Sequence, residues 1–95
     1  MVQVKYINLV KQQIASGNFK KGVKFFIFGS SLRKKRFGDL DIGVIGNIRK
    51  QEIHQLKEKF EESNLPYTVD IIDFNKAEKS FTDNVLNNKI LWIKH

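Results

Sequence analysis

Ninety-five residues, 41% of them hydrophobic and 12% aromatic, make one globular domain, too short for a second module and too apolar for a disordered chain. The absence of cysteine excludes a disulfide framework and a thiolate zinc site, and fits a reducing cytoplasm. The formal charge of +7 suits a polyanionic partner (nucleic acid, a nucleoside triphosphate or an acidic protein face), although lysine also serves solubility alone.

Ile7, Val10 and Ile14 fall at helical spacing and predict a helix over residues 3–16. Ser16-Gly17-Asn18 stops it, with Gly17 expected in the left-handed cap conformation. The N-terminus carries no long apolar segment, and no run approaches the ~20 apolar residues of a membrane span. A soluble cytoplasmic protein is therefore expected. Neither a linker nor an internal repeat interrupts the chain.

Val23 to Phe28 is an apolar run rich in Phe and Ile and reads as a strand. Gly29 follows, where the missing Cβ lets backbone approach a ligand. Ser30 or Ser31 is expected to cap a short helix reaching Arg36. A helix start behind a glycine gathers free N–H groups and suits an anion. Arg33-Lys34-Lys35-Arg36 is the densest charge run, and most of it reads as a solvated loop.

Asp39-Leu40-Asp41-Ile42-Gly43-Val44 is the second strand. Alternation puts Asp39 and Asp41 on one face and Leu40, Ile42 and Val44 on the other, the core face. Neighbouring carboxylates repel unless a cation sits between them, and a divalent ion with oxygen ligands, most often Mg²⁺, is the economical occupant. Gly43 lies on the aspartate face and leaves either space for a ligand or room for a close strand contact.

Asn47 is the expected cap of an amphipathic helix over residues 48–62, with Ile53, Leu56 and Phe60 buried. Lys57 and Lys59 belong to its wet side, and His54 reads as a boundary or surface residue. Ser63-Asn64-Leu65-Pro66 ends the helix. Tyr67 to Phe74 is the third strand, on which Asp70 and Asp73 take opposite faces. Asn75 to Glu78 resembles a capping box, opening a helix with Ala77, Phe81 and Val85 on one face and a stop at Asn87. Residues 90–93 suit either an edge strand or a closing helical turn, with Trp92 as a core or dimer contact.

Phe28-Gly29-Ser30 followed by Asp39-Leu40-Asp41 resembles the signature of the nucleotidyltransferase superfamily that includes DNA polymerase beta. In size the chain is similar to the minimal nucleotidyltransferases of bacteria and archaea. The resemblance implies an α/β (α+β) fold: one small mixed sheet of three to four strands flanked by helices, the polymerase beta palm, over residues 1–95. It also implies metal-dependent transfer of a nucleoside monophosphate, AMP from ATP, to a hydroxyl acceptor. Asp39 and Asp41 would bridge two Mg²⁺ ions, and Asp70 would complete the acceptor-side metal and act as base. Val69-Asp70-Ile71-Ile72 matches the family pattern around the third aspartate, whereas Asp73 suits a structural or capping role. Gly29, Ser30 and Arg33 would hold the triphosphate. Ser31 and Lys34 depart from the arginine and glycine that many minimal members carry in that region, and Gly38 stands where many relatives have serine.

The implied partner is a HEPN-type helical toxin whose tyrosine receives the AMP, with this chain as antitoxin and a homodimer possible. Transfer to a small molecule is the neighbouring reading. Two other classes stay open: a non-catalytic toxin-neutralising partner, and a basic nucleic-acid-binding module. The presence of all three carboxylates argues against the first. The clustering of basic residues beside the triphosphate site argues against the second.

Overall fold

A computed structural model describes residues 2–34 and 38–93. Four strands form one mixed sheet in the order β3-β2-β1-β4, namely β1 (Lys24–Phe28), β2 (Asp39–Ile45), β3 (Thr68–Asp73) and β4 (Leu91–Ile93). β1 runs antiparallel to both β2 and β4, while β2 and β3 are parallel. A parallel pair needs a crossover, and α2 (Lys50–Glu61) supplies it. Of the ambiguous residues 90–93, Leu91–Ile93 thus resolve as an edge strand, paired through Trp92 with Phe26.

α1 (Val4–Ala15) and α2 cover one face of the sheet. Val10 and Ile14 from α1, with Leu56 and Phe60 from α2, are buried against Phe25, Ile27, Leu40, Ile42, Val44 and Val69. Periodicity assigns Val10, Ile14, Leu56, Phe60, Leu40, Ile42 and Val44 to this core, while Ile53, expected buried with them, is half-buried. The second face carries a smaller aromatic cluster of Phe26, Phe28 and Phe74, with Ile72 and Val85 packed on it. α3 (Lys79–Leu86) lies on that side and contributes no fully buried residue. Phe81 stacks on Phe74 with ring centroids 5.5 Å apart, yet remains 44% exposed.

Several helix ends differ from the expectations. Asn18, not Gly17, takes the left-handed conformation after α1, at φ 57°. An Asn side chain tolerates that region, so the chain turns one residue later. Arg49, not Asn47, precedes α2, and the Glu52 carboxylate accepts the Arg49 backbone N–H at 3.0 Å. That hydrogen bond is the main reason the Glu52 carboxyl lies below its usual range. Glu78 is the N-cap residue of α3 rather than its third helical residue, and no side chain caps this end. Asn75 is committed elsewhere. Its side chain accepts from the Gly46 N–H at 3.2 Å and donates to the Gly46 carbonyl at 2.7 Å, joining the ends of β2 and β3.

Candidate active site

The sheet register assembles the site. Asp41 stands between Phe28 of β1 and Asp70 of β3, and Asp39 lies opposite Thr68. Strand alternation then places Asp39, Asp41 and Asp70 on the face away from α1 and α2. Asp39 is exposed, while Asp41 and Asp70 are half-buried. Asp73 pairs in register with Val44 and takes the opposite face. Its carboxylate accepts the Asn75 N–H at 2.9 Å and the Asn75 side-chain amide at 2.8 Å.

The electrostatics follow from this placement. Burial, first, and then the charges of Asp70 and Asp39 push the Asp41 carboxyl above its ordinary value. Three oxygen-rich acids with mutual repulsion are a donor set suited to a hard divalent cation. Among the described residues, however, no three acidic, histidine or cysteine side chains converge into a ready metal cluster. Asp41 nevertheless feels the charges of both Asp70 and Asp39. The sequence-predicted donors Asp39, Asp41 and Asp70 therefore share one face of the sheet without forming a ready cluster.

Beyond β1 the backbone turns sharply at Gly29, where φ is +83°. A Cβ there would lie 2.6 Å from the Asp41 Oδ2. Gly29 therefore admits the Asp41 carboxylate as well as the turn. Residues Gly29–Leu32 form a single 3₁₀ turn rather than a helix reaching Arg36, and neither Ser30 nor Ser31 caps it. Arg36 itself, with Lys35, lies outside the described residues. Ser30 is half-buried and Arg33 exposed at the end of the turn. Ser31 is fully buried with its hydroxyl unpartnered, and its carbonyl accepts the Val2 N–H at 2.8 Å.

Gly43 gives no ligand space. A Cβ there would stand 2.3 Å from the Phe26 ring and 2.7 Å from Phe74, so aromatic rings already fill the position. These rings floor the sheet next to the carboxylates. The family model for polymerase beta, nucleotidyltransferase, matches residues 11–95. The chain belongs to the polymerase beta nucleotidyltransferase family.

The nucleotidyltransferase fold is shared by solved structures. One is a crystal structure from Shewanella oneidensis, with a TM-score of 0.65 and 21% identity, covering 97% of this chain and 74% of the other. Another holds the tri-AMPylated Shewanella oneidensis HEPN toxin in complex with MNT antitoxin, with a TM-score of 0.62 and 20% identity over 93% of this chain and 71% of the other. No curated protein matches the chain. Among the described residues no helix is long and apolar enough to cross a membrane.

The structure also gathers residues that sequence reasoning left apart. Lys50, His54 and Lys57 of α2 line one groove with Asp41 and Asp70. Their spacing of four and three residues, one stripe of a helix, is the signal that was available.

Proposed function

We propose that this nucleotidyltransferase moves AMP from ATP to a hydroxyl acceptor, with Mg²⁺, the acceptor oxygen bonding the α-phosphorus as pyrophosphate leaves, and that the acceptor is a tyrosine on a HEPN-type partner. The observation that carries the reading is the juxtaposition of Asp41 with Asp70 across β2 and β3, beside the Gly29 turn. Bound Mg²⁺ would neutralise the triphosphate and lower the cost of an attacking alkoxide. Asp39 and Asp41 would hold that cation, whose charge would offset the repulsion that, after burial, raises the Asp41 carboxyl. Asp70 accepts the acceptor's proton from the neighbouring strand. Gly29 and Ser30 offer backbone and hydroxyl to phosphate oxygens, and the Arg33 guanidinium adds a bidentate charge at the rim. The partner class draws support from the structural neighbour that holds an AMPylated HEPN toxin with its MNT antitoxin.

The test is label transfer from α-labelled ATP to a co-expressed HEPN-type protein, with calorimetry of Mg²⁺–ATP binding alongside. The expected outcome is transfer by the native chain and loss of both signals in the Asp39→Asn, Asp41→Asn double variant. Unchanged Mg²⁺–ATP binding in that variant would overturn the metal assignment. Arg33→Ala should weaken triphosphate binding more than Lys35→Ala, and equal losses that fade with salt would indicate a diffuse basic surface instead.

A further inference from the structure

We propose that the acceptor reaches the site as an extended, acidic protein segment laid along the free edge of β3, its charges held by Lys50, His54 and Lys57. This deepens, and rests on, the transfer reading above. A groove of about 330 Å³ at the β3 edge is lined by these three residues and Ile71 on the α2 side and by Asp41 and Asp70 from the other face of the sheet. β3 is an edge strand. The Thr68 and Phe74 N–H groups donate to the Gly38 and Val44 carbonyls of the β2 side at 3.2 and 3.0 Å. Alternation therefore turns the main-chain groups of residues 69 and 71 outward, one residue to either side of Asp70.

An outward strand edge pairs with another main chain, which is how extended peptides are commonly recognised. The basic stripe supplies the charge preference. Lys50 and His54 are exposed and Lys57 is half-buried. Among the described residues neither lysine sits in an ion pair, and His54 meets only Glu58, at 3.4 Å. The two ends of the groove are thus opposite in sign. The carboxylate end suits a cation and phosphate, and the α2 end suits an acidic segment. No Phe, Tyr or Trp lines this groove to stack a base, so a protein segment fits better than RNA.

The test uses the full chain and a fluorescent octapeptide with one phenylalanine, in place of an acceptor tyrosine, flanked by Asp and Glu. Anisotropy reads binding without any chemistry. Lys50→Glu with Lys57→Glu should weaken binding about tenfold or more, and the charge-matched Lys11→Glu with Lys79→Glu should change it less than about twofold. N-methylation of alternate peptide nitrogens should also abolish binding, because edge pairing needs those donors. Equal losses in the two double variants, or equal binding of a Lys-rich peptide, would overturn the proposal. So would a single-stranded oligoribonucleotide that binds more tightly and is lost in the Lys50, Lys57 variant. A tyrosine version of the peptide with labelled ATP reports separately: peptide bound but never labelled would count against the transfer reading and leave the groove standing.

Discussion

A methyl group at residue 29 would meet the Asp41 Oδ2 at 2.6 Å, in a backbone whose φ of +83° already resists a side chain. Gly29→Ala should therefore cost about 1–3 kcal/mol of stability and displace the Asp41 carboxylate. Chemical denaturation reads the first effect, and Mg²⁺–ATP affinity the second. Asp41 also sets a pH dependence. Its carboxyl is pushed up by burial and by Asp70 and Asp39, so the folded state binds that proton more tightly than the unfolded chain. Stability present below the unfolded value is then lost as pH rises through the raised folded value. Asp41→Asn should be more stable than the native chain at neutral pH, by less than about 1 kcal/mol given solvent screening of a half-exposed group. The gain should vanish in acid, where the native carboxyl is protonated. Added Mg²⁺ should raise the native Tm and leave that of Asp41→Asn nearly unchanged. The pairing of Asp39 with Asp41 was legible from alternation alone. The contact of Gly29 with Asp41 was not, because it depends on how β1 meets β2.

On the scale of the strands, Asp70 and Asp73 illustrate how a three-residue offset divides labour. Asp70→Asn should lower turnover strongly while nucleotide binding stays near native, as expected of a group that handles the acceptor's proton. Asp73→Asn should cost about 0.5–1.5 kcal/mol, because it weakens two hydrogen bonds to Asn75 at the surface, and should leave chemistry nearly intact. Gly43→Ala should be worse than either for stability, at about 1–3 kcal/mol, since Phe26 and Phe74 occupy the space its Cβ needs. The period-two pattern revealed which residues share a face, and the 3.6 period revealed α1 and α2. It did not reveal that Gly43 is plugged by rings from β1 and from the residue after β3, which only strand register decides. The last strand was undecidable for a related reason. Leu91, Trp92 and Ile93 are too few to show a period, and their pairing with β1 settles the matter.

Across the whole molecule, stability is unevenly shared between the faces of the sheet. One face is sealed by α1 and α2 around a continuous core, whereas α3 buries no residue completely and leaves Phe81 and Leu86 partly in water. Amides of α3 should therefore exchange with solvent at least about tenfold faster than those of α2 and β1 in native-state hydrogen exchange. Equal protection would mean that α3 opens only with the whole fold. The capping pattern at Asn75–Glu78 misplaced the start of this helix because Asn75 finds a stronger role 29 positions back along the chain, at Gly46. Local sequence cannot display a competitor that distant.

That Asn75 clasp has a thermodynamic consequence. It fastens β2 and β3 at the end away from Asp39, while three like charges press on the other end. A cation held by the carboxylates would offset that repulsion and add to the Thr68–Gly38 hydrogen bond that already joins the strands at this end. Binding of Mg²⁺–ATP should accordingly show an unfavourable conformational entropy offset by enthalpy. Asn75→Ala, which touches no ligand, should enlarge that entropy loss and weaken nucleotide affinity from the far end of the sheet.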